Sequence, residues 1–323
     1  MKTRAAVLTA PNAPLEIVEL AQEAPKAGEV RVQVKAAGVC MSDWHIMIGD
    51  WPAPLPMVLG HEAAGLVVET GPGVNNVKAG DHVIFSFHAD CGHCKPCVEG
   101  NRMRCIGHNA SPPGLMFDGT ARLKRDAQPV SQMARIGTFS EYVVCSSENV
   151  VAVRKDLPWT HAAVIGCSVA TGVGAVIRHA KVPVGASVVV IGCGGVGLNI
   201  VQGARLAGAS TIIAVDLLDS KLAYATKMGA THTINGKTDD VIKAVRGIVG
   251  KLGADFAFDA IGSAVTAAQV VQAVAPGGHG VLVGMPAVTV KAEISPFQMV
   301  MMEKKLTGSY YGSVRPSVDF PLL

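Results

Sequence analysis

Residues 187–197 read SVVVIGCGGVG, an apolar run that breaks on a glycine turn and opens into a segment of small residues. Gly192, Gly194 and Gly197 have the G-x-G-x-x-G spacing, with Gly195 and Val196 inside it. The first glycine permits a tight turn, the second lets backbone amides approach a pyrophosphate, and the third lets a helix pack on a strand. On its own the pattern is weak. Here it follows a strand, opens a helix predicted over 195–206, and lies 24 residues before Asp216, which ends the next strand, TIIAVD. Asp216 can accept the ribose hydroxyls of an adenosine and repel a 2′-phosphate, which favours NAD over NADP. The alternation continues with a helix over 220–228, strands at HTIN (232–235), 254–262 and 278–285, helices near 239–249 and 264–274, and a sixth strand in KLTGSYY (305–311). Strands and helices at this spacing predict a parallel, doubly wound α/β sheet.

A chain of 323 residues is too long for one ordinary core, so two domains are expected. The first half differs in texture. Short Val-rich runs, EVRVQVKAAGV (29–39) and AAGLVVETG (63–71), are separated by Gly, Pro and Asp turns, as in a mostly antiparallel barrel. The stretch 106–137 shows no periodicity and is expected to be a long surface loop, a candidate for a subunit contact.

A net charge of +3 provides no field that would demand nucleic acid or anionic lipid, and 5% aromatic residues do not suit a base-stacking surface. The N-terminal twenty residues contain no continuous apolar core of a signal peptide. Two uncharged runs, 186–204 and 159–177, approach membrane length. The first carries five glycines with Asn199 and Gln202, the second His161 and many small or polar residues. Neither fits a span, and the expectation is a soluble, cytoplasmic protein with no nucleic-acid or membrane partner.

A reducing compartment leaves eight cysteines to explain without disulfides. Cys91, Cys94, Cys97 and Cys105 have the spacing C-x2-C-x2-C-x7-C. Short turns can converge three thiolates on a zinc ion, and a longer loop returns the fourth. A redox C-x-x-C would leave two cysteines unused, and the usual iron–sulfur spacings differ. With all four positions filled by protein the predicted zinc is structural. Cys40, His61 and Cys167 are a different matter. Two thiolates, an imidazole and a water would make an open zinc site, but buried free cysteines and a hydrogen-bonded histidine fit the residues equally well, because nothing in the spacing brings the three together.

Taken in order, GVCMSDWH, GHEAAG, the four-cysteine stretch, GCSVATG, GCGGVG and VD (215–216) resemble the zinc-dependent medium-chain alcohol dehydrogenases over nearly the whole chain. The resemblance implies a GroES-like mostly-β catalytic domain over 1–170, with its structural zinc lobe at 91–105, and a Rossmann domain over 171–310. Residues 311–323 would begin a return to the first domain, which in the family continues for several dozen residues. It implies two zinc ions per chain, NAD, and an alcohol or aldehyde substrate. Cys40, His61 and Cys167 would hold the catalytic zinc, with Glu62 behind it and Asp43 orienting His61. Ser42 would take the alcohol proton and pass it through ribose hydroxyls towards His45. Thr171, Val283 and Lys221 match positions that contact nicotinamide or adenosine ribose, and Trp51 and Phe87 match the substrate pocket wall.

The segment between Cys105 and TFSEY, with DGT at 118–120, is similar to the dimeric members, so a homodimer is expected, with a tetramer as the alternative. FSFHADCGHC, GTFSEYVV and GSYYGSVRP resemble bacterial members that retain NAD as nicotinoproteins. The glutathione-dependent formaldehyde dehydrogenases carry an Arg where this chain has Asn109 and an acidic residue where it has Trp51. An aromatic at position 51 would narrow and dry the pocket, and the expected substrate is an apolar or benzyl-type primary alcohol. The alternatives are formaldehyde dehydrogenase-type activity and an inactive, zinc-stabilised nucleotide-binding protein.

Overall fold

A computed structural model describes residues 1–323. The chain forms two compact units, Met1–Cys167 with Arg315–Leu323, and Ser168–Val314.

The first unit is built on ten strands: β1 Lys2–Leu8, β2 Glu16–Gln22, β3 Glu29–Ala37, β4 Met57–Val58, β5 Ala63–Thr70, β6 His82–Phe85, β7 Leu123–Arg125, β8 Gln128–Gln132, β9 Tyr142–Ser146 and β10 Val150–Val153. β1, β2, β7, β8 and β4 close into a barrel, antiparallel except for the β4–β8 pair. The other five pair in the order β10-β6-β5-β3-β9, all antiparallel. Alternation along the strands carries the core: Val30, Val32, Val67, Val83, Phe85, Val143 and Cys145 point into one apolar cluster.

One expectation fails here. The stretch 106–137 is not a structureless loop. It contains a short helix, Ile106–Ala110, and the β7–β8 hairpin that completes the barrel. The hairpin turns on Asp126 and Ala127, both at positive φ, and buries Leu123 and Val130. Its alternation was hidden because the neighbouring positions are charged: Arg122, Lys124 and Arg125. Arg122 is fully buried, with Nε and Nη2 donating to Glu29 at 2.8 and 2.6 Å and Nη2 also to Asp118 at 2.8 Å. That network ties the hairpin to β3 of the other sheet, and buried charge substitutes for the apolar pattern that sequence reading looks for.

The second unit holds six parallel strands: β11 Ser187–Ile191, β12 Thr211–Asp216, β13 His232–Asn235, β14 Ala254–Asp259, β15 Val274–Leu282 and β16 Lys305–Gly308. Their order is β13-β12-β11-β14-β15-β16, so consecutive strands wind outward in both directions from β11. The point where winding reverses lies between β11 and β14, where this architecture characteristically binds dinucleotides. The helices Gly195–Leu206, Asp219–Met228, Val241–Val249 and Ala264–Ala273 intervene where the alternation predicts them. Val188, Val190 and Phe258 face one apolar cluster, Val189, Ile213 and Ala257 the other, as expected for a sheet covered on both faces. The sixth strand is shorter than KLTGSYY suggests: the chain leaves it after Gly308 and turns through Tyr311–Ser313.

The apolar run 159–177 lies in a helix, Trp159–Ala180, of 22 residues and mean hydropathy 1.6, with 67% of its most apolar window buried in protein. Its start packs on β3, β5 and β6. Small residues explain the close packing: a Cβ on Gly166 would lie 2.2 Å from the Phe85 carbonyl oxygen.

Candidate active site

Three segments distant in sequence meet in the first unit. Cys40 is the residue before the Met41–Met47 helix, His61 precedes β5, and Cys167 lies in a π-helical turn, Ile165–Val169, of the long helix. Their ligand atoms all lie within 4.8 Å of one another, and Cys167 Sγ is 3.5 Å from His61 Nε2. A tetrahedral zinc with Zn–S of ~2.3 Å and Zn–N of ~2.05 Å sets such a pair about 3.5 Å apart. The thiols are free, and the set of two sulfurs and one imidazole leaves a fourth position open. The donor set therefore fits a zinc ion.

Asp43 holds this group from behind. It is buried; its Oδ2 accepts from the Cys40 amide and its Oδ1 from the Gly60 amide, each at 2.9 Å. Oδ1 also lies 3.4 Å from His61 Nδ1, so Nε2 is the nitrogen turned toward the two sulfurs. One carboxylate thus ties the helix start to the histidine turn. Gly60 makes the turn at φ +89°, where a Cβ would lie 2.7 Å from the Phe139 amide nitrogen. Electrostatics favour separated charge. The hydrogen bond with Cys167, and then His61, outweigh burial and draw Cys40 down to about 4. Burial opposes a charge on His61, but Asp43 and Cys40 raise it to about 10. Without a metal His61 carries its proton between the Cys40 thiolate and the Asp43 carboxylate, two negative charges around one positive, and a cation that takes the place of that proton suits the site.

Glu62 is buried beside them, its side chain packed on Gly38, where a Cβ would come within 2.8 Å of its Cδ. Ser42 Oγ lies 3.7 Å from Cys40 Sγ. Ser42 and His45 are three apart on one short helix, hence on adjoining faces. Phe87 meets the His61 ring edge-on, with centroids 5.5 Å apart, and Trp51 stacks on His45.

Cys91, Cys94, Cys97 and Cys105 converge separately, all four sulfurs within 4.8 Å. Cys94 and Cys97 sulfurs are 3.4 Å apart, far longer than a disulfide bond of ~2.05 Å. Amides of Cys91 and His108 point at Cys105 Sγ at 3.3 and 3.5 Å. Amides of Ile106 and Cys97 pull Cys94 down to about 6. Four sulfurs fill a tetrahedral zinc with no open position.

The glycine fingerprint lies in the second unit. Gly192 sits at φ +97°, and a Cβ on Gly197 would fall 1.7 Å from the Gly192 carbonyl oxygen, so that helix and strand could not close. Gly194, the residue before the Gly195–Leu206 helix, has open space where its side chain would be. A bare loop beneath a twelve-residue helix N-terminus has the geometry that can accept a phosphate. Asp216 ends β12. Its Oδ2 accepts from the Cys193 amide at 2.8 Å and its Oδ1 from the Leu217 and Leu218 amides, while Lys221 Nζ lies 3.9 Å away. Thr171 and Val283 are buried, and Val196 is half-buried on the helix's first turn.

Sequence reading did not find Gly60 or Asp50. Gly60 had a signal in the glycine immediately before His61. Asp50 had none, because its partner, His45, lies on the far side of a turn.

These features define a class. Residues 26–158 match the model of the alcohol dehydrogenase GroES-like domain, and residues 195–322 match that of the zinc-binding dehydrogenases. The chain belongs to the zinc-dependent medium-chain alcohol dehydrogenase family, whose cofactors are zinc and NAD. Among its relatives, S-(hydroxymethyl)glutathione dehydrogenase of Paracoccus denitrificans is 40% identical over 333 residues, spanning 99% of this chain and 88% of that protein. Alcohol dehydrogenase class-3 of Cereibacter sphaeroides is likewise 40% identical, with the same coverage. Among solved structures, an alcohol dehydrogenase zinc-binding domain protein from Burkholderia ambifaria superposes with a TM-score of 0.95 at 36% identity, covering 100% of this chain and 88% of that one. Benzyl alcohol dehydrogenase from Acinetobacter calcoaceticus gives 0.93 at 33%, with the same coverage.

Proposed function

We propose that this oxidoreductase transfers hydride reversibly between a primary alcohol of apolar or benzyl type and NAD, giving the aldehyde. The observation that carries the reading is the convergence of Cys40, His61 and Cys167 with Asp43 behind them. Zinc held by those three residues supplies Lewis acidity toward the alcohol oxygen, and NAD on the second unit supplies the two-electron acceptor. Asp43 keeps Cys40 and His61 in register, so that donor geometry does not have to be assembled when substrate arrives. Ser42, its Oγ 3.7 Å from Cys40 Sγ, would take up the hydroxyl proton as it gives its own to the ribose hydroxyls, which pass a proton on to His45 for release to solvent. The glycine loop cradles the pyrophosphate, and Asp216 binds the ribose and disfavours a 2′-phosphate.

Trp51 and Phe87, both aromatic and set against His45 and His61, support an apolar substrate, as does the similarity to a benzyl alcohol dehydrogenase. The second reading, a hydroxymethyl-thiol adduct as substrate, is favoured by the 40% identity to S-(hydroxymethyl)glutathione dehydrogenase. Initial rates of NADH formation separate them. Benzyl alcohol with NAD is expected to be turned over faster than formaldehyde with glutathione; turnover of the adduct alone would reverse the assignment. Elemental analysis should give about two zinc per chain, and about one would remove the catalytic reading. Alcohol added to purified protein without NAD tests the nicotinoprotein form, which would show an NADH absorbance band.

The chain is proposed to act in the cytoplasm as a homodimer. Edge strand β16 and the exposed Phe297, Val300 and Met301 support a self-associating face.

A further inference from the structure

The His45 ring is gripped from two sides. Nδ1 lies 2.8 Å from Asp50 Oδ2, and the ring stacks on Trp51 with centroids 4.8 Å and planes 17° apart. Backbone geometry delivers both partners. The Met41–Met47 helix ends at Ile48, Gly49 turns the chain at φ +81° while its amide bonds to the Ile46 carbonyl, and the Trp51 amide donates to the His45 carbonyl at 3.2 Å. The segment leaving the helix therefore folds back over the helix's last turn and lays residues 50 and 51 on the ring.

A carboxylate can only accept, so the hydrogen on this contact belongs to Nδ1 and the lone pair of a neutral His45 belongs to Nε2. A ring that is to receive a proton must present that lone pair. We propose that Asp50 is a positioning residue that fixes His45 in the Nδ1–H tautomer, with Trp51 setting the ring plane, so that Nε2 is the atom that takes up the alcohol proton. The inference rests on the relay reading of His45 given above. The step balances without a further reactant: the alcohol C–H leaves as hydride to NAD, the O–H proton ends on Nε2, and the imidazolium formed, with Asp50 as counter-ion, releases a proton to solvent. The reverse reaction draws the same proton back from Nε2.

Asp50→Asn is the informative change. Its amide can accept from Nδ1–H through oxygen or donate to a bare Nδ1 through nitrogen, so it holds the ring without dictating the tautomer. The zinc-loaded full chain, labelled with 15N at histidine, is examined by NMR, with the His45 signals identified by their loss in His45→Gln. Nδ1–H is expected in the wild type and a mixture of tautomers in Asp50→Asn. Alongside, kcat for alcohol oxidation is expected to fall about tenfold, within the range of general acid–base effects, with KM for NAD within about twofold. Asp50→Glu, which keeps an accept-only partner, should recover part of the loss and guards against a variant that misfolds. An Nε2–H tautomer in the wild type, or an Asp50→Asn chain with unaltered tautomer or unaltered kcat, overturns the assignment of Asp50. If His45→Gln leaves kcat unchanged, the relay reading falls and takes this inference with it. A loss in His45→Gln with none in Asp50→Asn overturns only the role of Asp50.

Discussion

Two glycines of one fingerprint should respond to the same substitution in opposite ways. Gly197→Ala places a methyl 1.7 Å from a carbonyl oxygen, and the second unit must shift or unfold. A drop in the thermal midpoint is expected, with loss of NAD binding following from it. Gly194→Ala meets nothing within 4 Å, so the midpoint should hold while NAD affinity falls, because the methyl occupies space kept for phosphate. Calorimetry and NAD titration of the two variants separate a packing glycine from a binding one. Asp43→Ala should strip the Cys40 and Gly60 amides of their acceptor and leave His61 without its neighbour. Zinc is expected to fall from about two per chain toward one, with activity down roughly 10- to 100-fold, as is usual when a ligand's supporting partner is lost. Unchanged zinc content in the folded variant would show that the ligands hold their places unaided.

At the level of elements, the β7–β8 hairpin depends on buried charge. Arg122→Met leaves Glu29, 7% exposed, without its guanidinium, a loss expected to cost about 3–5 kcal/mol in denaturant unfolding. The same network sets an acid limit. Burial would raise Asp118, but its bonds to Lys26, Thr120 and Arg122 prevail and hold it well below the usual carboxylate range. A carboxyl depressed in the folded state contributes stability that is complete above its unfolded value of about 3.9 and is lost as pH falls through its folded one. Stability measured from pH 5 downward should therefore decline below about pH 4, and Arg122→Met should flatten that decline. The hairpin was also the element least legible in the sequence. Its strands are three and five residues long, and charge dominates the positions that a period-two pattern would use. By contrast the helices and strands of residues 187–273 could be read to within a few residues, since β11 and β12 are apolar runs bounded by turn residues and fix the alternation for the elements that follow.

For the whole molecule, the two metal groups differ in the same respect. The four sulfurs of residues 91–105 lie on one short stretch, so their convergence is written in the spacing. Cys40, His61 and Cys167 meet only because β3, β5 and the long helix pack together, and no local pattern encodes that. The family resemblance supplied what spacing could not. The structure added Asp43's double amide contact and the grip on His45. Light scattering of the purified chain should report twice the mass of 33.4 kDa, and Val300→Lys should shift it toward the monomer. A monomeric wild type would instead leave the apolar face at Phe297–Met301 needing another partner.

The carboxylate of Asp216 is joined to the Cys193 amide across the glycine turn. The residue that would tell one nucleotide from another is also a brace for the loop on which any nucleotide must sit. Preference and grip are thereby inherited together. Exchange of this acid for a residue without a side-chain acceptor would free the Cys193 amide at the same moment as it changed the preference, whereas asparagine would lift the negative charge and keep an oxygen for the brace.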